Sequence, residues 1–173
     1  LMPPEAITGV QAVVSEERIT RVRFSGTGAL EHFDRAVRLL EERQVQIKEI
    51  NVSHVAADAG RSRGGFVVST ANVYGWESLE SELARRFGGD IAFDHDLAAL
   101  SLIGEGLNRN NLALTATMDL LRRNGIPLAG VTTTSFRISL LVPRERIEEG
   151  VRICHRRWIE GHAPLPEDRP GGP

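Results

Sequence analysis

Four consecutive hydroxyl side chains, at residues 132–135, stand in the first half of the segment GVTTTSFRISLLV. The segment has the Val, Thr and Ile content of a β-strand, yet a plain core strand has no need of a row of hydroxyls. Hydroxyls both donate and accept hydrogen bonds, so a strand that ends in them can face a small polar ligand or a partner chain. The alternative, equally open, is that the threonines only pair with a neighbouring strand.

A second polar stretch, GEGLNRNN at residues 104–111, joins an apolar segment to a helical pattern for which Asn111 is a suitable N-cap. Its two glycines match part of a dinucleotide-binding fingerprint, but the third glycine and the downstream acidic residue are missing. The chain also has no phosphate-binding loop with a Gly-Lys-Ser or Gly-Lys-Thr sequence. Nucleotide binding and kinase activity are therefore not predicted for this chain by itself.

Residues suited to catalysis or metal binding are scattered. The five histidines include no pair at the spacing of a zinc-binding helix, and Asp94-His95-Asp96 fits a solvated turn between two strands. Cys154 lies on the apolar stripe of the last helix, where a buried thiol is expected rather than a nucleophile. The sequence predicts no catalytic residue, metal or cofactor. An enzyme that uses Asp94, His95 or Arg137 is kept as the third alternative.

Composition and charge indicate an ordinary globular domain. The chain has 173 residues, a hydrophobic fraction of 41%, a charged fraction of 25% and a formal net charge of −2. This balance predicts neither a nucleic-acid nor a membrane partner. The single cysteine excludes an internal disulfide, and no apolar run approaches the ~20 residues of a membrane span. We expect a cytoplasmic location.

The elements that must position the two polar stretches follow from hydrophobic periodicity. Apolar stripes at helical spacing begin at Leu30, Trp76, Leu112 and Ile147, and the last of these helices opens at Pro143. Strand-like runs separate them, at residues 7–14, 19–24, 45–52, 66–70, 91–93, 97–103, 126–133 and 136–142. A glycine-rich loop at residues 56–65 is expected to be mobile.

The order strand, helix, strand, strand, helix, strand occurs twice, which predicts an α+β protein with two ferredoxin-like βαββαβ units. The second unit lacks a closing strand, whereas the first has one to spare at the N-terminus. We therefore expect the strand at residues 7–14 to complete the second sheet. The predicted divisions are an extension at 1–6, the first unit at 18–96, the second unit at 97–159 and a disordered tail at 160–173.

Three segments carry a resemblance to a known family: ITGV near the start, LSLIGEGL at residues 100–107, and GVTTTSFRISLLV. Together they resemble the regulatory region of aspartate kinase, which holds two ACT domains, and most closely its separate small subunit. The resemblance spans roughly residues 6–159. In that family the first strand likewise closes the second ACT domain.

The resemblance implies binding of a free amino acid of the lysine or threonine class. Backbone N–H groups of a glycine turn at a helix N-terminus would hold the carboxylate, and groups at a facing strand end would hold the ammonium. The implied ligand-binding residues of the second unit are Gly106, Leu107, Asn110, Asn111, Val131, Thr132 and Thr133. Those of the first unit are Thr27, Gly28, Ile50 and Asn51.

This sequence departs from the family pattern at several of these positions. The first-unit loop shrinks to SGTG, and Ile50-Asn51 replaces a Gln-Asn pair. In the second unit Ser135 stands where Glu is usual, and Leu112 where Gly is common. The departures predict that the first site is lost and that the second survives with altered preference.

Two function hypotheses follow from the resemblance. The first is a non-catalytic, amino-acid-sensing regulatory subunit that forms a homodimer or pairs with an aspartate-kinase catalytic subunit. The second is a structural or assembly partner that keeps the ACT fold and dimer surface but no longer binds an effector. Dimerisation is expected in both cases because an ACT sheet leaves an open edge strand.

Overall fold

The computed structural model describes residues 9–53, 58 and 62–162. Within these residues lie eight strands and four α-helices. In chain order they are β1 Val10–Glu16, β2 Ile19–Ser25, α1 Ala29–Glu42, β3 Ile47–Ser53, β4 Arg63–Ser69, α2 Trp76–Phe87, β5 Ile91–Asp94, β6 Leu97–Gly104, α3 Leu112–Arg123, β7 Gly130–Thr133, β8 Arg137–Pro143 and α4 Ile147–Trp158. No helix in this described part has the length and apolarity that crossing a membrane requires.

The first compact unit comprises Glu16–Ala98. Its strands lie in the order β3-β4-β2-β5 and pair antiparallel. Alternate residues of β2 and β4 point toward the helices, so that Val22 and Phe24 pack with Phe66 and the apolar stripes of α1 and α2. The Phe24 ring meets the Phe87 ring edge-on, with the centroids 5.5 Å apart.

The second unit combines the start of the chain with residues from Ala99 onward. Its strands lie in the order β1-β6-β8-β7, so the N-terminal strand completes the second sheet as predicted. β1 and β6 approach closely at their ends: the Glu105 N–H donates to the Gly9 carbonyl oxygen at 3.1 Å. A Cβ added to Gly104 would overlap that same oxygen, which explains the glycine. Both units therefore have the ferredoxin-like strand order, and the α+β prediction is confirmed.

A buried hydrogen-bond chain links the two helices of the second unit. Trp158 is 2% exposed, and its Nε1–H donates to Thr117 Oγ1 at 3.0 Å. The Thr117 hydroxyl in turn donates to the Ala113 carbonyl at 2.7 Å. Arg146 then bonds the carbonyls of Asn124 and Gly125 at the end of α3. The Trp158 and Thr117 bonds satisfy polar groups that the helix packing removes from water, whereas the Arg146 bonds are exposed.

Two strands differ in length from their predictions. β4 begins at Arg63 rather than Phe66, because Gly64 and Gly65 pair with β2 and a Cβ at Gly65 would lie 2.7 Å from the Val22 oxygen. The rest of the predicted glycine-rich loop falls largely outside the described residues. β7 contains only Gly130–Thr133, since residues 126–128 are outside the β7–β8 register. The Ala129 N–H, just before the strand, donates to the Leu141 carbonyl at 2.8 Å.

The ends of the second unit also differ from expectation. The last α-helix begins at Ile147, after the short 3-10 helix Arg144–Arg146, rather than at Pro143. The first three residues of the predicted tail form another 3-10 helix, Glu160–His162. The remainder of that tail, residues 163–173, and the predicted extension at 1–6 lie outside the described residues.

Candidate ligand-binding site

The loop between β6 and α3 is fixed to the turn between β7 and β8. Gly106 has a φ of +64°, a left-handed conformation that favours glycine. The Leu107 N–H donates to the Ser135 carbonyl at 3.0 Å, and the Gly104 N–H donates to the Phe136 carbonyl at 3.0 Å. These two bonds bring the glycine turn, the start of α3 and the end of β7 to one edge of the sheet.

The N-terminus of α3 is capped by Asn110 rather than by Asn111. The Asn110 Oδ1 accepts the Leu112 N–H at 3.0 Å, whereas Asn111 occupies the N-cap position without a side-chain capping bond. The N–H groups of Ala113 and Leu114 have no hydrogen-bond acceptor among the described residues. Two helix donors thus remain open for a ligand, in the field of the helix dipole.

Strand alternation divides the hydroxyl row. Thr133 pairs with Ile138, which is 1% exposed and lies on the helix side of the sheet, whereas Thr132 pairs with Ser139 on the opposite face. Val131, like Thr133, therefore belongs to the helix side, and both are exposed at the sheet edge. A ligand next to the start of α3 would meet Val131 and Thr133 but not the side chain of Thr132.

The other two hydroxyl residues shape the β7–β8 turn. Thr134 Oγ1 accepts the N–H groups of Phe136 and Arg137, at 3.2 and 3.0 Å. Ser135 supplies the carbonyl that holds Leu107. The row thus has a local structural explanation at Thr134 and Ser135, in addition to the exposed hydroxyl of Thr133.

Leu107 departs from its predicted role as a ligand-binding residue, and a second residue of the loop, Arg109, lies over the glycine turn. The Leu107 side chain is 6% exposed and its N–H is already bonded, so Leu107 anchors the loop. Arg109 was not predicted, yet its Nε lies 2.7 Å from the position that a Cβ on Gly106 would occupy. Arg109 is exposed, and its guanidinium has no partner among the described residues. A basic residue between the glycine turn and the helix start is the sequence signal for this feature.

The corresponding turn of the first unit is much shorter. Gly26 has a φ of +100°, and its carbonyl accepts the Ala29 N–H at 3.2 Å. Gly28 is the N-cap of α1 and has no side chain to form a capping bond. The N–H groups of Leu30 and Glu31 have no acceptor in the described part of the chain.

The predicted partners of this turn lie on the edge strand β3. Ile50 is 58% exposed and pairs with Phe66, whereas Asn51 pairs with Gly65, so their side chains point to opposite faces. β4 separates β3 from β2, a distance of about two strand spacings, or ~9.6 Å. Among the described residues, no hydrogen bond joins Thr27 or its neighbouring glycines to Ile50 or Asn51.

His32, which the sequence did not single out, lies against this turn. A Cβ on Gly28 would stand 3.0 Å from the imidazole Cε1 and 3.2 Å from its Nε2. The ring centroid is 5.2 Å from that of Phe87, and Nδ1 is 3.5 Å from the Asp90 Oδ2. The only sequence signal is a histidine four residues after the N-cap, since helix side chains tilt toward the N-terminus.

Groups considered for other chemistry have structural partners. Asp94 is 23% exposed and binds Arg21 and Arg23, so it does not belong to a solvated turn. His95 Nε2 lies 2.9 Å from Glu80 Oε1. Cys154 is buried, as predicted, and burial raises the pKa of its thiol to about 12. In the described residues, no group of three or more His, Cys, Asp or Glu side chains is placed to hold a metal ion.

Solved structures similar to this chain include regulatory subunits of aspartate kinase. The regulatory subunit of aspartate kinase from Thermus thermophilus matches with a TM-score of 0.69 and 21% identity, over 86% of this chain and 98% of that chain. The fold is that of an aspartate kinase regulatory region. A structure of aspartokinase alpha and beta subunits matches with a TM-score of 0.70 and 15% identity, over 85% of this chain and 97% of that chain.

The match to a whole aspartate kinase covers only about a third of that enzyme's chain. Aspartokinase III of E. coli, in complex with lysine and aspartate, matches with a TM-score of 0.64 and 16% identity, over 91% of this chain and 35% of that chain. No protein-family model and no curated protein matches the sequence. The aspartate kinase resemblance is therefore confirmed at the level of the fold.

Proposed function

We propose that this chain is a non-catalytic regulatory component of aspartate-kinase type that binds a free amino acid in its second unit. The observation that carries the proposal is the second-unit edge. There the glycine turn is hydrogen-bonded to the β7–β8 turn, the N–H groups of Ala113 and Leu114 have no acceptor among the described residues, and the Thr133 side chain is exposed. This arrangement offers donors for a carboxylate and oxygen acceptors for an ammonium within one site.

The ligand class follows from this chemistry. A zwitterion places opposite charges a short distance apart, and the positive end of the α3 dipole favours the carboxylate. The exposed Val131 contributes apolar surface beside the Thr133 hydroxyl. Lysine or threonine is the proposed class; the E. coli aspartokinase III structure, whose fold is similar, was obtained with lysine and aspartate.

The proposed partner is a catalytic aspartate-kinase subunit or a second copy of this chain. β7 and β3 stand at the ends of their strand orders, where a strand from another chain could be added to the sheet. The similar alpha and beta aspartokinase subunits were solved together. Neither nucleic acid nor a membrane is a proposed partner, and the cytoplasm is the proposed location.

A thermal-shift screen of the purified chain against each common amino acid at millimolar concentration tests the proposal. A ligand that binds only the folded state raises Tm. Calorimetry should then show that Thr133→Val weakens binding by about fivefold or more, which corresponds to ~1 kcal/mol for a lost polar contact. His155→Ala, on the outer surface of α4, is the matched control and should bind as the wild type does.

A second candidate function is favoured by the first unit. Its short turn is covered by His32, and no hydrogen bond joins it to Ile50 or Asn51 among the described residues. If neither unit binds an amino acid, the chain would be an effector-insensitive assembly partner. If no amino acid raises Tm and a kinase subunit is nevertheless captured from the source cell, the assembly function replaces sensing.

A further inference from the structure

The helices that follow the two turns begin with the same set of open donors. In α1 the first N–H, from Ala29, is bonded, and the next two, from Leu30 and Glu31, have no acceptor among the described residues. In α3 the first N–H, from Leu112, donates to Asn110 Oδ1. The N–H groups of Ala113 and Leu114 have no acceptor among the described residues. Each helix therefore begins with two N–H groups that have no acceptor in the described part of the chain.

The side chain over each turn is different. In the first unit the His32 imidazole lies on Gly28 and on the Phe87 ring, and only 22% of the His32 side chain is exposed. Nδ1 is buried and has no hydrogen-bond partner in the described part of the chain. The imidazole is thus packed in place beside the open end of α1, with the Asp90 carboxylate behind it.

The position equivalent to His32 in α3 is Thr115, since each lies four residues after its N-cap. Thr115 Oγ1 donates to the Asn111 carbonyl at 2.8 Å, so this short side chain stays within its own helix turn. The side chain over the second-unit turn is instead Arg109, which is exposed and makes no ion pair in the described structure. Arg109 can move into solvent when a ligand arrives, whereas displacing His32 would break its packing on Phe87.

We propose that His32 fills the first-unit site and thereby confines amino-acid binding to the second unit. The proposal rests on the proposed function, because it assumes that the second unit binds a free amino acid. His32 acts as an occluding residue: its ring takes the space beside Gly28 through which a carboxylate would reach the N–H groups of Leu30 and Glu31. The first unit keeps the N–H donors of Leu30 and Glu31, but His32 prevents a carboxylate from reaching them.

Titration calorimetry of the full chain tests this assignment, with each common amino acid in turn as the probe. Wild type should bind about one molecule per chain, and His32→Ala should bind about two. His32→Thr, which installs the residue found at the equivalent position of α3, should also bind about two. His155→Ala removes an exposed histidine of α4 that belongs to neither turn and should stay at about one.

The stoichiometries separate the failure of this inference from the failure of the proposed function. One molecule bound by wild type and one by both His32 variants would leave the function intact and overturn the occlusion. Two molecules bound by wild type would overturn it as well. Binding by the His32 variants alone would support occlusion but refute sensing by the second unit, and no binding by any variant would refute both.

A folding defect cannot mimic the expected result. The His32 variants lose a contact with Phe87, so the fluorescence and thermal unfolding of each variant are recorded first. If His32→Ala does not fold, His32→Thr and His32→Gln carry the test. His32→Gln retains a side chain long enough to cover Gly28 and should bind about one molecule per chain, and a second bound molecule there would contradict the steric explanation.

Discussion

In the second unit, residues 105–111 join the sheet to α3, whereas in the first unit only residues 26–28 join the sheet to α1. The longer connection reaches the adjacent hairpin and bonds to it through Leu107 and Ser135. The shorter one turns directly into the helix, and a side chain from the helix itself covers it. The comparison teaches that two copies of one fold can share helix donors and still place different side chains over the turn that precedes them.

The two units also differ in how they hold their tryptophans. Trp158 is buried and donates to Thr117 inside the helix pair of the second unit. Trp76 donates to Glu80, whose carboxylate is 22% exposed and also meets His95. Each unit thus contains one of the two tryptophans, so single-tryptophan variants report the unfolding of each unit separately.

The largest expected effect concerns the strand that closes the second sheet. Gly104→Ala should destabilise the second unit by about 3 kcal/mol or more, because the new Cβ would overlap the Gly9 carbonyl. Urea unfolding of a Trp76→Phe background, followed through Trp158, measures this loss. Gly89→Ala is the control, since a Cβ there meets no atom within 4 Å. Equal stability of the two variants would show that β1 is not fixed at this point.

The next effect concerns the buried tryptophan. Thr117→Val should destabilise the second unit by about 1–3 kcal/mol, because the Trp158 Nε1–H would lose its acceptor in a buried position. The matched change in the first unit, Glu80→Ala, should cost under about 1 kcal/mol because water can reach that site. Thr117→Ser keeps the hydroxyl and should recover most of the stability. A larger loss for Glu80→Ala would reverse the comparison.

The smallest expected effect is a pH dependence specific to the first unit. Burial acts to raise the pKa of the Asp94 carboxyl, but hydrogen bonds from Arg23 and Arg21 outweigh burial and hold that pKa below its ordinary value. The lowered folded-state pKa stabilises the protein above the unfolded value near 3.8, and this contribution is lost as pH falls through the folded value.

Asp94→Asn should therefore be less stable than wild type at pH 7, by about 1 kcal/mol or less for a partly exposed pair. The difference should shrink as the pH falls below 4. Urea unfolding of a Trp158→Phe background, followed through Trp76, measures it at both pH values. A difference that is constant with pH would mean that the Asp94 ion pairs do not contribute through charge.

Periodicity was sufficient for most of the fold. The stripes of α1, α2 and α3 and the alternation of β2 placed these elements within a residue or two of their observed bounds, because burial of one face imposes the period. The pairing of β1 with the second sheet also followed from counting strands. Periodicity could not predict that β4 extends through Gly64 and Gly65, because glycines have no side chain that could show a pattern. Their pairing with β2 makes them part of the strand.

Less of the candidate site could be predicted from the sequence. The glycine turn, Asn110 and the hydroxyl row were visible as residue types, but their division into anchors and exposed groups depended on hydrogen bonds. Asn110 rather than Asn111 supplies the cap, and Thr132 and Thr133 face opposite sides of the sheet. The positions of His32 and Arg109 over their turns were not predicted, because a contact between a side chain and a backbone turn produces no periodic pattern in the sequence.

The sequence by itself determined that the chain has two ferredoxin-like units and that the N-terminal strand belongs to the second, since local periodicity and the number of strands suffice for both. Only the tertiary structure decided which donors are covered. At the start of α1, packing against Phe87 holds the His32 side chain in place. At the start of α3, the Arg109 guanidinium has no partner among the described residues. Such packing joins residues from separate elements, so the order of residues along the chain does not specify it.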